Sequence, residues 1–183
     1  MFDINGWQVR EAGEEDLEAV ALVGSAAILE TYAGLLQRAD MLAFCRDGHS
    51  AAAYRGYLAK GGRIWLGEDT ETGCPLGYAL LCPPEIDHAQ DGDIELKRIY
   101  TLTRMQGSGL GKALMAAALA GAQGHRRLLL GVNAKNVRAL AFYARQGFET
   151  IGSRRFLVGS VEHDDYVLAC DLTARDLLTA PTV

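Results

Sequence analysis

The sequence predicts an α/β (α+β) fold in which a mixed sheet of about six to seven strands carries helices on both faces. Helical patterns cluster early, between Leu17 and Lys60, whereas strand and helix patterns alternate from Ile94 onward. A glycine-rich stretch, IELKRIYTLTRMQGSGLG at Ile94 to Gly111, joins a strand pattern directly to a helix pattern. Helices that cluster early in the chain, followed by alternating strands and helices, are typical of a mixed sheet with helices on both faces.

Length and charge narrow the possible partners. The 183 residues carry no internal repeat or linker, so we expect a single domain over residues 1–183, with a tail at 173–183 that is partly flexible. Apolar residues make up 49% of the chain and charged residues 22%, which is ordinary globular composition. A net charge of −5 argues against a nucleic-acid partner and mildly favours cationic small molecules.

Cysteine and histidine usage indicates a reduced, metal-free protein. Four cysteines are scattered without a C-x-x-C pair, and His163 has no second histidine or cysteine nearby. No apolar run reaches the ~20 residues needed to cross a membrane, and the first residues lack a basic, apolar leader pattern. We therefore expect a cytoplasmic protein with no membrane partner and no metal.

The first half of the chain contains three predicted strands and two helical regions. Trp7–Arg10 is the first strand, and an acidic start at Gly13–Asp16 precedes a helix with apolar residues at helical spacing that bends near Gly34. Further helix is predicted over Asp40–Lys60, interrupted at Gly48. Arg63–Glu68 and Leu76–Cys82 then form a hairpin around a turn rich in Asp, Thr and Gly.

The second half alternates strands and helices. Ile94–Leu102 is a strand, and apolar residues at i, i+3, i+4, i+7 and i+8 from Leu110 predict the helix that follows the glycine loop. Leu128–Asn133 is a short buried strand. A helix begins near Asn136 and stops at Gly147, a short strand at Phe148–Ile151 is an option, and His163–Leu172 is the last strand.

A glycine loop between a strand and a helix is a common way to hold a phosphate, because free N–H groups and the helix dipole face the anion. Three motifs compete here. The spacing Gly107 to Gly111, followed by Lys112-Ala113, lacks the Ser or Thr of a nucleoside-triphosphate loop. A dinucleotide fingerprint would need G-x-x-G spacing and an acidic residue about 20 positions on, and neither is present. The pattern Q-x-x-G-x-G, met by Gln106, Gly109 and Gly111, is the third option.

A second motif decides among these options. Asn136 to Phe148 reads N-x-x-A-x-x-F-Y-x-x-x-G-F, about 30 residues after the glycine loop. In this order, the two motifs resemble the signatures of the GCN5-related N-acetyltransferase (GNAT) superfamily. The resemblance covers roughly Gly73 to Leu172. It implies a mostly antiparallel sheet whose central parallel strands, here Ile94–Leu102 and Leu128–Asn133, splay apart to admit acetyl-CoA.

The resemblance also implies the residues that hold acetyl-CoA as the acyl donor. The loop Gln106 to Lys112 would bind the pyrophosphate through backbone N–H groups, and the backbone of the strand end would pair with the pantetheine arm like an added strand. Asn136, and with less weight Asn133, would contact the same arm. The full predicted set is Ile99, Tyr100, Thr101, Gln106, Gly107, Ser108, Gly109, Leu110, Gly111, Lys112, Asn133 and Asn136.

Two residues are candidates for catalysis. Asn136 and Tyr143 lie seven apart, on one side of a helix, and the resemblance makes Tyr143 the acid that protonates the departing sulfur. A buried core tyrosine and an ordinary N-cap asparagine would explain the same residues. Glu95 precedes Ile99 by four residues, where histone-acetylating members carry a glutamate base. Pairing with Lys97 on the strand surface is the alternative role for Glu95.

The resemblance implies a primary amine as acceptor. It would attack the thioester directly, because no G-x-S-x-G elbow indicates an acyl-enzyme. The motifs are most similar to the bacterial polyamine (spermidine/spermine) acetyltransferase branch. Gly131 stands where ribosomal-type members often carry glutamate, which disfavours a protein N-terminus. Antibiotic amines are alternative acceptors, and a non-catalytic acyl-CoA-binding module is the alternative function. A homodimer is a possible oligomeric state. Candidate acceptor contacts are Tyr32, Phe44, Glu162, Asp164 and Asp165.

Overall fold

A mixed sheet of seven strands forms the centre of the computed structural model, which describes residues 6–158 and 161–173 and the side chains in these ranges outside 156–163. Its strand order is β1-β2-β3-β4-β5-β7-β6. The strands are β1 (Trp7–Ala12), β2 (Arg63–Asp69), β3 (Pro75–Cys82), β4 (Asp93–Thr101), β5 (Arg127–Asn133), β6 (Glu149–Val158) and β7 (Val161–Asp171). β4 and β5 are parallel, and the other neighbouring pairs in the described ranges are antiparallel, which confirms the predicted fold class.

Five α-helices cover this sheet in the described part of the chain. They are α1 (Leu17–Tyr32), α2 (Arg38–Gly48), α3 (Ala51–Ala59), α4 (Leu110–Gly121) and α5 (Val137–Arg145). The predicted interruption at Gly48 is where α2 ends, and Ser50 starts α3 by accepting a hydrogen bond from the N–H of Ala53 at 3.2 Å. The chain leaves α1 just before Gly34, whose φ of +84° suits glycine.

Helices lie on both faces of the sheet because the buried side chains of β3 alternate between two clusters. Tyr78 and Leu80 point to one face, where they pack in a cluster with residues of α1 and α3. Ala79 and Leu81 point to the other, where α4 supplies Leu114 and further core residues. The site therefore rests on a sheet that is held rigidly from both sides.

The central strands separate after three paired positions. β4 and β5 pair only at Asp93–Arg127, Ile94–Leu128 and Glu95–Leu129. On the other side of β4, Leu80 pairs with Arg98 and Leu81 with Leu96, so Lys97 is an extra residue, a β-bulge. A bulge bends its strand and increases the local twist. It therefore coincides with the opening of the predicted gap between β4 and β5.

β6 is longer than the short strand predicted at Phe148–Ile151, and it forms a hairpin with β7. Its pairing with β7 shifts between Thr150 and Gly152, which leaves Ile151 as an extra, exposed residue. Such a bulge breaks the period-two pattern that identifies a strand in a sequence. The predicted tail beyond Thr173 lies outside the described residues.

Candidate active site

The glycine loop joins β4 to α4 and presents a row of free backbone donors. Gly107 and Gly109 adopt left-handed φ values of +87° and +90°, so the loop turns sharply before the first turn of α4. Among the described residues, no protein acceptor binds the N–H groups of Gly107, Gly109, Gly111 and Lys112. These donors and the positive end of the helix dipole make an anion site.

A pocket of about 540 Å³ lies over this loop, and its charges suit a polyphosphate. Lys112, Arg138 and Arg145 line it, and the described lining contains no carboxylate. Arg138 also donates a hydrogen bond to the side-chain oxygen of Gln106, which ties α5 to the loop. Neither arginine was predicted from the sequence. Their spacing of seven on one helix, two turns apart, is the signal that could have found them.

The donor pocket, as we call this cavity, contains most of the predicted cofactor residues. Ile99, Tyr100, Thr101, Gln106, Gly107, Gly109, Gly111, Lys112 and Asn136 all line it. Ser108 and Leu110 do not: the Ser108 hydroxyl bonds Met105 O at 2.7 Å, and the Leu110 side chain is fully buried in the core. Asn133 lies on the neighbouring cavity instead, and its side chain accepts a hydrogen bond from the N–H of Lys135.

A second cavity of about 290 Å³, here named the acceptor cavity, opens between the splayed strands. It shares five lining residues with the donor pocket: Ile99, Tyr100, Asn136, Ala139 and Tyr143. Among the described residues, the backbone of β4 beyond Glu95 has no strand partner on this side, so its outward-facing groups are available to a ligand. The two cavities thus meet at the place where a strand-like ligand could bind.

Tyr143 stands at this junction with its hydroxyl uncommitted. Its ring packs in edge contacts with Phe142 and Phe148, at centroid distances of 5.4 and 5.7 Å. Among the described residues, no protein group bonds the hydroxyl. Burial, with a smaller contribution from Tyr100, raises the pKa of Tyr143 well above its usual value. The phenol is therefore a protonated, well-placed hydrogen donor at neutral pH.

Asn136 begins α5, because its side-chain oxygen accepts the N–H of Ala139 at 3.0 Å. This N-cap role is the structural alternative that the sequence left open. The residue nevertheless lines both cavities, and its amide N–H donors have no partner among the described residues.

Glu95 lies at the closed end of the gap, only 1% exposed, and lines the acceptor cavity. Its carboxylate accepts the N–H of Glu85 at 2.7 Å and pairs with Lys97 at 3.4 Å. The pairing with Lys97 that the sequence offered as an alternative is present. Whether Glu95 also accepts a substrate proton stays a prediction.

Only some of the residues predicted to contact the acceptor line the acceptor cavity. Tyr32, Phe44 and Asp165 line the acceptor cavity, Asp164 does not, and the Glu162 side chain lies outside the described residues. Two arginines that the sequence analysis missed also line it, Arg98 and Arg154. Arg154 lies directly over Gly131, where a Cβ would come within 2.3 Å of its guanidinium, and pairs with Asp165 at 3.6 Å. The glycine at that position therefore makes room for a cation.

Comparison with known proteins identifies the family of this chain. The sequence profile described as "Acetyltransferase (GNAT) family" matches residues 29–148. The chain belongs to the GNAT family of acetyltransferases. An uncharacterised N-acetyltransferase of Mycobacterium tuberculosis is 38% identical over 125 residues, which cover 67% of this chain and 76% of that protein.

Two solved structures share the GNAT fold with this chain. PaiA N-acetyltransferase from Thermoplasma acidophilum in complex with coenzyme A matches with a TM-score of 0.70 and 18% identity, over 91% of this chain and 99% of the other. YncA from Salmonella typhimurium, a putative acetyltransferase with its cofactor acetyl-CoA, matches with a TM-score of 0.68 and 19% identity, over 92% and 95% of the two chains.

The chain is thus a GNAT-family N-acetyltransferase that uses acetyl-CoA. The cations and free N–H groups of the donor pocket suit the phosphates of such a cofactor. Within the described ranges, no group of three or more His, Cys, Asp or Glu side chains is arranged to hold a metal ion. None of the helices described here has both the length and the apolar content needed to cross a membrane.

Proposed function

We propose that this GNAT protein moves the acetyl group of acetyl-CoA directly onto a primary amine held in the acceptor cavity. The observation that carries the proposal is the shared wall of the two cavities at Ile99, Tyr100, Asn136, Ala139 and Tyr143. A thioester that enters from the donor pocket and an amine that enters from the other side would meet there. Holding both reactants in one place supplies much of the rate enhancement of such a transfer.

The protein supplies a donor for each part of the transfer that develops negative charge. The new C–N bond forms as the C–S bond breaks, and Tyr143 gives its proton to the departing sulfur. The unpaired backbone of β4 offers N–H groups to the carbonyl oxygen. Asn136 would orient the pantetheine arm through its free amide donors.

The amine must lose a proton before or during attack, because a primary amine is mostly protonated at neutral pH. We assign this step to Glu95, acting through water, because its carboxylate lines the acceptor cavity. Lys97 and the Glu85 N–H hold the Glu95 carboxylate in place. Glu95 can therefore take up, through water, the proton that the amine releases in the acceptor cavity.

The test of this function is release of free coenzyme A thiol from acetyl-CoA in the presence of amines. We expect thiol release that depends on both acetyl-CoA and an amine, and mass spectrometry should show the amine gaining one acetyl group. The amines to be tested are spermidine, spermine, a lysine peptide, an N-terminal peptide, an aminoglycoside and free amino acids. If acetyl-CoA binds but none of these amines stimulates thiol release, the proposal is contradicted. That result would favour a binding module.

Replacing Glu95 by glutamine should lower kcat about 10-fold and leave the Kd for acetyl-CoA unchanged, because the donor pocket is untouched. The loss is smaller than the ~100-fold typical of general acid–base catalysis, because Glu95 acts through water and bulk water replaces part of its role. Glu85→Gln is the matched control, because Glu85 also pairs with Lys97, at 3.0 Å, but does not line the cavity. Equal losses of kcat in the two variants would assign the effect to Lys97 rather than to a base.

The acceptor is the least constrained part of the function. The sequence favours a small polyamine such as spermidine, with protein, peptide or antibiotic amines as alternatives. The cavity offers two carboxylates, Glu95 and Asp165, but each faces a cation of the protein. The polyamine acceptor therefore stays a prediction. The cytoplasmic location and the homodimer are also predictions.

A further inference from the structure

Arg98 is the one residue of the acceptor cavity whose charge no described carboxylate balances. No Asp or Glu oxygen in the described ranges comes within 4.0 Å of its guanidinium, and its Nη1 atom is buried without a hydrogen-bond partner. The other charges of the cavity form pairs: Lys97 with Glu95, and Arg154 with Asp165. The residues that line the cavity therefore carry one more positive than negative charge, and Arg98 is the cation without a carboxylate partner; Glu85, which lies outside the lining, shares Lys97 at 3.0 Å.

Aromatic rings hold Arg98 in place without neutralising it. Its guanidinium carbon lies 5.4 Å from the ring centre of Tyr54 and 5.5 Å from that of Tyr57. Cation–π contacts of this kind offset only part of the cost of removing a cation from water. Burial raises the pKa of Tyr54 and of Tyr78, so these phenols stay protonated and supply no counter-charge.

The hydroxyl groups near Arg98 are also committed to one another. Tyr54 donates to Tyr78 at 2.7 Å, and His49 Nδ1 lies 2.9 Å from the Tyr54 hydroxyl. The pKa of His49 falls to about 3, through burial first and the charge of Arg98 second, so this ring is neutral as well. The protein thus surrounds a fixed cation with neutral groups. A buried charge in that situation favours an anionic ligand, because burying it unpaired is costly.

We infer that the acceptor amine carries a carboxylate that Arg98 binds, so that the substrate is an amino acid or a compound built like one. Arginine is the side chain best suited to a carboxylate, since its planar fork donates two parallel hydrogen bonds. A cavity of about 290 Å³ suits a small molecule. A polyamine would instead bring further positive charge toward Arg98. The inference rests on the proposed acetyl transfer and names its substrate class.

The experiment compares amino acids with the amines that differ from them only by loss of the carboxylate: phenylalanine with phenethylamine, leucine with 3-methylbutylamine, methionine with 3-(methylthio)propylamine, and spermidine as the polyamine. Thiol release gives kcat/KM for each, corrected for the neutral fraction of the amine. We expect the wild-type enzyme to prefer at least one amino acid over its partner by about 10- to 100-fold, the size of a charge-assisted hydrogen bond.

Arg98→Gln should remove this preference by raising KM for the amino acid, with little change for the partner amine, and Arg98→Lys should restore part of it. The Kd for acetyl-CoA should stay constant, because Arg98 does not line the donor pocket. Arg55→Gln, an exposed position on α3, is the charge control and should leave the preference intact.

Three results would overturn the inference: equal turnover of acids and partner amines, a preference for spermidine, or an equal loss for both members of each pair in Arg98→Gln. If no amine is acetylated, the proposed function fails, and calorimetry on the enzyme–coenzyme A complex still tests Arg98. Binding of N-acetylphenylalanine, N-acetylleucine or N-acetylmethionine that Arg98→Gln abolishes would support the inference. Binding that Arg98→Gln leaves unchanged, or no binding, would overturn it.

Discussion

Replacing Tyr143 by phenylalanine should lower kcat about 100-fold while the Kd for acetyl-CoA changes by less than about threefold. The departing thiolate then has no protein proton donor, and general-acid catalysis typically contributes a factor of that size. Folding should be unaffected, because no described protein group bonds the hydroxyl that is lost and the ring contacts with Phe142 and Phe148 remain. Thiol release for kcat, and calorimetry for Kd, measure the two quantities.

Tyr100→Phe is the matched control for this prediction. Tyr100 lines the same two cavities, and burial raises the pKa of its phenol too, but it lies on β4 rather than α5. We expect this variant to keep most of its turnover. The opposite pattern, with a large loss only in Tyr100→Phe, would move the acid from Tyr143 to Tyr100. Full activity in both variants would show that water protonates the sulfur.

The residues that line the donor pocket could be grouped from the sequence because they lie in local segments; their contact with a cofactor stays a prediction. One strand, one loop and one helix, contiguous from Ile94 to Gly121, supply the free N–H groups, and a second short motif supplies Asn136 and Tyr143. Each of these segments has a residue pattern that its own backbone conformation requires. Glycines at left-handed φ values are an example, since other residues adopt them only at a cost.

The acceptor half was not predictable because it depends on the bulge at Lys97. In a regular strand, Leu96, Arg98 and Tyr100 would share one face. With one extra residue, Leu96 and Ile99 instead pack in the core cluster that contains α4, whereas Tyr100 packs in the cluster that contains α1 and α3. Arg98 thereby meets Tyr54 and Tyr57 of α3. Nothing in the local sequence marks that shift.

Arg154 illustrates the same limit. Its strand, β6, was only partly recognised, and it reaches the cavity by crossing β7 to lie on Gly131 of β5. In the sequence, Gly131 is notable only because ribosomal-type members often carry glutamate at that position. The structure shows that the absence of a side chain there is what admits a guanidinium. A contact between strands that lie far apart in the chain becomes visible only once the order β5-β7-β6 is known.

Changing Gly111 to alanine should weaken acetyl-CoA binding about 30-fold and at the same time raise the melting temperature of the free protein. Gly111 is the second residue of α4, has ordinary helical backbone angles, and has open space where a Cβ would lie. Alanine stabilises a helix relative to glycine by roughly 0.5–1 kcal/mol. The same methyl group faces the donor pocket, where it would hold the pyrophosphate away from the free N–H groups, and weakened charge-assisted bonds account for about 2 kcal/mol.

Gly56→Ala is the matched variant for this test, because Gly56 lies in α3, is exposed, and also has nothing within 4 Å of an added Cβ. It should raise the melting temperature by a similar amount without changing acetyl-CoA affinity. Thermal unfolding with and without acetyl-CoA measures both effects: the shift caused by the ligand should shrink only in Gly111→Ala. An undiminished shift in Gly111→Ala would mean that the pyrophosphate does not approach α4 closely, and the anion site would then have to lie nearer Arg138 and Arg145. Because the two effects have opposite signs, loss of folding cannot imitate the expected result.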